Sequence, residues 1–253
     1  MISVNNMGGL GNQLFMIFAT LAHSVQYNVK PVFPVKNGSK RGTYWDNFFS
    51  DFAYLTVENS EIENFTKYQE PNFTYSTIPD FGEQHTVLNG NFQSYKYFES
   101  VQSTLFDMLH LSDKKVEIFQ KYFSYFSDKK TVCMHFRLGD YKHKRYYHPI
   151  MNYEYFENAL RKVIDMNPDM ENTGRVLYLW EKEEDNEYVE GQAQRLQETF
   201  PNMEFVKINN TIPDYEQMLI MACCDHNIMS NSSFSWWGAS INSYININEI
   251  MFQ

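Results

Sequence analysis

The stretch Ile2-Ser3-Val4-Asn5-Asn6-Met7-Gly8-Gly9-Leu10-Gly11-Asn12-Gln13 decides the fold. An apolar strand over 2–5 runs into a glycine turn. A helix follows over about 13–27, with Leu14, Phe18, Leu21 and Val25 recurring at helical spacing on one face. A second apolar run over 30–35 comes at once. Strand, glycine turn, helix and strand make one βαβ unit, and its crossover requires parallel strands. Gly8, Gly9 and Gly11 let the backbone turn through angles that side chains avoid. Such a turn is equally the mark of a tight loop that holds no ligand.

The same rhythm fills the second half of the chain. Strands are expected over 131–136, 175–180, 203–207 and 226–229, alternating with helices near 152–166, 187–199, 213–224 and 233–242. Alternation at that pace means a doubly wound parallel sheet. A short final strand over 244–247 would close it. Between the halves lie an aromatic-rich stretch of weak periodicity over 37–81, a strand over 86–91, and helices over about 95–109 and 112–126. The aromatic residues there either pack loops onto a core or build a pocket for a small molecule. The polar segment Ser127-Asp128-Lys129-Lys130 is the best boundary, giving an N-terminal domain over 1–128 and a C-terminal one over 129–253.

Composition narrows the class of partner. A net charge of −10 and a pI near 5.2 leave no basic face for nucleic acid or an anionic membrane, so the partner is expected to be small. Three cysteines, two of them adjacent at Cys223 and Cys224, form neither a disulfide framework nor a metal-binding pair, which suits a reducing compartment. No stretch approaches the roughly 20 apolar residues that span a bilayer, and no basic leader opens the chain. These features suggest a soluble, cytoplasmic protein of a bacterium or a virus-infected host cell.

Charged and hydroxyl residues gather at the strand ends. After the apolar run Thr131-Val132-Cys133-Met134 comes His135-Phe136-Arg137-Leu138-Gly139-Asp140, which puts a cation where a buried strand meets a loop. An arginine there clamps a phosphate through two parallel hydrogen bonds, or else pairs with Asp140 to cap the strand. His135 lies one alternation earlier, on the same side of the strand as Arg137. The third junction is Ser230-Asn231-Ser232-Ser233-Phe234-Ser235-Trp236-Trp237-Gly238. Ser232, Ser233 and the backbone NH of Phe234 open a helix there, suited to phosphates or to plain N-capping. The acid run over 181–190 reads as a solvated loop and helix N-terminus. No Asp-x-Asp pair sits at a strand end, and no His/Cys cluster has ligand spacing.

Together these junctions resemble the inverting α-1,2-fucosyltransferases of bacterial and animal type, which use GDP-fucose. The matching pieces are Gly8-Gly9-Leu10-Gly11-Asn12-Gln13-Leu14-Phe15, Asn91-Phe92-Gln93-Ser94-Tyr95-Lys96-Tyr97-Phe98, His135 to Tyr141, and His226 to Ala239. They run in the family's order over nearly the whole chain. The resemblance implies a GT-B-like α/β architecture, two Rossmann-type halves with parallel sheets facing across a cleft. It also implies an acceptor-side N-terminal half, a C-terminal half that holds the nucleotide sugar, and no metal or other cofactor. The partners are then a nucleotide-sugar donor and a glycan acceptor, usually a β-galactoside.

By the same resemblance the catalytic residues are Arg137, His135 and Asp140. The donor is held by Gly9, Gly11, Asn12, Gln13, His135, Arg137, Asn231, Ser232, Ser233 and Phe234. Arg137 receives the charge that builds on the β-phosphate, His135 lies beside the donor, and Asp140 fixes Arg137. The general base is left among Asp140, His143 and His148. Three departures bear on base and sugar identity. Leu138 stands where relatives carry a second arginine, Leu179-Trp180-Glu181-Lys182 replaces a Phe-Ser-Asp-Asp-like segment, and Gln217, beside Glu216, aligns with an aspartate near the guanine. The alternatives are another linkage or donor on the same scaffold, and a silent glycan- or nucleotide-binding module. A dinucleotide-dependent dehydrogenase is excluded, because no acid closes the second strand near Val35.

Overall fold

The structure is a computed structural model that describes residues 1–37, 41–126, 129–143 and 146–244. It divides into two compact units, Met1–Leu111 and Ser112–Gln253.

In the first unit β1 (Ile2–Val4) leads through the glycine turn into α1 (Leu10–Tyr27). Leu14, Phe18 and Leu21 are buried as their spacing requires, but Val25 is 57% exposed, because it falls in a last turn that nothing covers. The helix stops at Asn28, which takes the left-handed conformation that asparagine tolerates and returns its NH to the Ser24 carbonyl. The expected strand over 30–35 shrinks to β2 (Phe33–Pro34), since Pro31 and Pro34 cannot donate to a ladder. β2 pairs in parallel with β3 (Thr56–Val57), which precedes the single-turn α2 (Asn59–Ile62). β4 (Thr66–Gln69) and β1 flank β5 (Thr86–Asn89), all parallel, in the order β1-β5-β4.

Neither β3 nor β4 was expected from periodicity, and the helix expected over 95–109 is broken. Two 3₁₀ turns, Tyr95–Tyr97 and Glu99–Val101, precede α3 (Gln102–Met108). The breaks fall at Phe98 (φ −133, ψ 6) and Val101 (φ −128, ψ 10), whose backbones leave the helical region. Phe98 is fully buried edge-on against Phe18 at 5.4 Å, so burial of its ring overrides helical continuity.

The second unit opens with α4 (Leu111–Lys121) and α5 (Phe123–Phe126), then β6 (Thr131–Phe136), every residue of which is buried. There follow α6 (Tyr153–Met166), the short α7 (Met170–Thr173), β7 (Arg175–Trp180), α8 (Asn186–Thr199), β8 (Glu204–Lys207), α9 (Asp214–Cys223), β9 (His226–Ile228) and α10 (Ser233–Tyr244). The four strands form one parallel sheet in the order β8-β7-β6-β9. Each helix and strand of the expected alternation is present, and the single-turn α7 is additional to it. The strand expected over 244–247 lies, apart from Tyr244, outside the described residues, and Tyr244 is the last residue of α10.

The expected boundary after Asp128 also involves undescribed residues, Ser127 and Asp128; the compact units divide earlier, after Leu111. The reason is that α4 and α5 are tied to the C-terminal sheet. Lys121 Nζ donates to both carboxylate oxygens of Glu216 on α9, at 2.9 and 2.7 Å, and Arg175 of β7 donates to the carbonyls of Ser124 and Tyr125 at 2.9 and 2.8 Å. Among the described residues no helix is long and apolar enough to cross a membrane.

α9 and α10 pack closely at Gly238. A Cβ on Gly238 would lie 2.9 Å from Met221 Cβ, an atom that cannot move without its helix. Gly238→Ala is therefore expected to destabilise the protein by about 1–3 kcal/mol through overpacking. Urea denaturation checks this, and an unchanged midpoint refutes it.

Candidate active site

The strand order places a topological switch at β6. From β6 the chain adds β7 and β8 on one side, then returns to add β9 on the other. Open α/β sheets take their ligands outside the carboxyl ends of the strands at such a switch point. Arg137 follows β6, and the Ser230–Phe234 segment follows β9.

His135, the penultimate residue of β6, is almost fully buried, 4% exposed. Its Nδ1 is hydrogen-bonded to Ser230 Oγ at 3.0 Å, and its ring lies 5.4 Å from that of Phe234. Burial pushes its pKa down to about 3, with the Arg137 charge adding to the effect. The ring is neutral at physiological pH and joins the two loops.

Arg137 extends from the strand end with its side chain 13% exposed. Nη1 donates to Glu181 Oε2, Nη2 donates to Asp140 Oδ1 at 2.5 Å, and the guanidinium lies 4.6 Å over the Tyr141 ring. Asp140 thus holds Arg137, one of the roles the sequence left open for it. His148, an expected base candidate, stacks on Tyr141 at 4.4 Å. Lys144 and Arg145, which follow His143, lie outside the described residues.

Of the acids after β7, Glu183, Glu184, Glu187 and Glu190 are exposed as a solvated run requires, and Asp185 is the exception. Glu181 reaches Arg137, and Asp185 is 2% exposed, with both carboxylate oxygens engaged. Oδ2 accepts the Gly139 NH at 2.9 Å and Oδ1 takes Lys142 Nζ at 2.5 Å. The partner is 46 residues away in sequence, so no local pattern marks which acid turns inward.

At the third junction, Ser232 Oγ accepts the Phe234 NH at 3.3 Å, and Ser235 Oγ donates to the Ser230 and Ser232 carbonyls at 3.3 and 3.2 Å. N-capping by Ser232 is therefore present. Asn231 is exposed, Ser233 and Phe234 are partly exposed, and the amide end of the 12-residue α10 begins here. Trp237 is fully buried as core.

In the first unit only Gly8 of the three glycines takes a left-handed backbone, φ +76; Gly9 is extended and Gly11 sits buried in α1. The expectation that all three need glycine's freedom is corrected accordingly. Gln13, expected at the donor, is fully buried: its amide donates to the Gly8 and Gly42 carbonyls, each at 2.9 Å, and accepts from Asn6. Its groups hold the loop rather than project from it. Asn12 remains partly exposed and accepts from Gln93 Nε2 at 3.0 Å, joining the first and second family-like motifs at neighbouring strand ends. Glu70, which the sequence did not single out, anchors the second motif by accepting the NH groups of Asn91 and Phe92 at 2.7 and 3.0 Å.

Of the residues aligned near the guanine, Gln217 donates to the Ile212 carbonyl at 2.7 Å. Glu216 is buried and bound by Lys121, Tyr122 and Tyr215. Both are occupied within the unit.

Against known protein families, residues 185–251 match the model of Glycosyl transferase family 11. Parallel α/β units of Rossmann type with that C-terminal segment define the class, a glycosyltransferase of GT-B fold. The resemblance read from the motifs stands. Among individual proteins, the chain is 25% identical to the O-antigen biosynthesis glycosyltransferase WbnK of Escherichia coli, covering 94% of this chain and 89% of the relative. It is similar in fold to the fucosyltransferase NodZ from Bradyrhizobium, with a TM-score of 0.56 at 12% identity over 94% of this chain and 92% of that one. It is also similar to POFUT1 in complex with GDP-fucose, with a TM-score of 0.51 at 11% identity over 96% and 93% of the two chains.

Proposed function

We propose that this protein transfers L-fucose from GDP-fucose to a hydroxyl of a glycan with inversion, forming an α-1,2 linkage to galactose, without a metal ion. The observation that carries the reading is Arg137 leaving the end of β6 at the switch point of the sheet, two residues after His135, which meets Ser230 and Phe234 where α10 begins. Leaving-group charge builds on the β-phosphate as the C1–O bond breaks, and a fixed guanidinium with helix-terminal NH groups is suited to receive it. The acceptor oxygen attacks C1 from the opposite face, so the β-linked donor gives an α-linked product. Support for the donor comes from NodZ, an alpha-1,6-fucosyltransferase solved after soaking with GDP-fucose, and support for a glycan acceptor from the O-antigen relative.

Two further observations favour a second reading, another linkage or nucleotide sugar on the same scaffold: Leu138 is buried where relatives carry a second arginine, and Gln217 is tied to Ile212. Calorimetric titration with GDP, GDP-fucose, GDP-mannose, UDP and UDP-sugars in EDTA separates the two, followed by linkage analysis of the product on a β-galactoside. Micromolar binding of GDP and GDP-fucose in EDTA, with an α-1,2 product, is the expected result. Binding confined to uridine nucleotides overturns the donor, and loss of binding in EDTA overturns metal independence.

A further inference from the structure

We infer that Asp185 is a positioning residue for Arg137, setting the loop that aims the guanidinium; this rests on the reading of Arg137 as the phosphate-binding group. Three observations meet at this carboxylate. It is buried, and its two oxygens reach different points of the segment that follows β6, the Gly139 NH and the Lys142 ammonium. Gly139 stands two residues after Arg137 with φ +48, and a Cβ there would lie 3.3 Å from Arg137 Nη1. The turn anchored by Asp185 therefore packs directly against the guanidinium.

The anchor is itself rigid. Asp185 NH returns to the Lys182 carbonyl at 3.0 Å, and the next residue, Asn186, accepts the Trp180 indole NH at 2.9 Å. One short segment after β7 thus controls Arg137 twice. Glu181 at its start takes the guanidinium, and Asp185 at its end takes the loop that carries it. A buried anion held by a backbone NH and an ammonium is well suited to fix a turn that glycine alone leaves free.

The test compares Asp185→Ala, Asp185→Asn and Arg137→Ala, with rates expressed per folded molecule and GDP affinity measured by calorimetry. Asparagine keeps an acceptor for the Gly139 NH and loses only the charge on Lys142. Turnover is expected to drop by about 30-fold or more in Asp185→Ala and to recover to within about tenfold of wild type in Asp185→Asn, with the acceptor KM unchanged in both. The Asp185→Ala and Arg137→Ala effects on GDP binding should also be non-additive in the double variant, as for groups acting through one contact. If Arg137→Ala loses transfer while Asp185→Ala keeps turnover per folded molecule within about threefold of wild type, the inference fails and the Arg137 reading survives. If neither substitution changes binding or turnover, both fall together.

Discussion

Arg137→Ala is expected to slow turnover with GDP-fucose by at least about 10²–10³-fold, the usual cost of removing one donor to a developing anion. The fold should survive the change. The substitution leaves Asp140 and Glu181 without this cation, but their side chains are 50% and 30% exposed, so water can solvate them and the stability change should stay within about 1 kcal/mol. Arg137→Lys should restore little, since an ammonium supplies a point charge and no fork. Steady-state kinetics with a melting curve for each variant provide the check. Turnover within about threefold of wild type in Arg137→Ala would remove the phosphate-clamp assignment.

Acid should unfold this protein partly through His135. Its pKa lies near 3 in the folded state against 6.5 for the free side chain, because burial, aided by Arg137, opposes the cation. The unfolded chain therefore binds a proton that the folded one refuses once the pH drops below 6.5. The stability this group allows is fully present above pH 6.5 and is lost as pH falls toward 3, at about 1.4 kcal/mol per pH unit inside that window. His135→Asn should flatten this part of the profile while keeping a polar group near Ser230. The measurement is the unfolding free energy of both proteins from about pH 7 to about pH 4, and parallel curves would refute the assignment.

Much of the site was legible before the structure, and the reasons are local. β6 reads as an unbroken apolar run ending in a histidine and an arginine, and α10 opens with a serine pair after a short strand. Burial on both faces and helix-start chemistry leave marks within a few residues of themselves. The Tyr95–Met108 segment misled because its apolar spacing suits a helix, whereas burial of Phe98 against Phe18 breaks it. Gln13 misled in another way: it lies in a ligand-loop motif, yet it serves the carbonyls of that loop and of Gly42.

What the sequence by itself determined is the alternation of strand and helix, the parallel sense of the strands, and the placing of Arg137 and of Ser232 and Ser233 at strand ends. Periodicity and turn chemistry are properties of neighbouring residues and need no fold to be read. Only the tertiary structure decided that β9 lies beside β6, so that His135 meets Ser230. It also decided which acids of the 181–190 run matter. Glu181 is the acid that reaches Arg137 and Asp185 the one buried against the loop after β6, and strand pairing across more than 40 residues, as between His135 and Leu179, is an outcome of packing that no local pattern records.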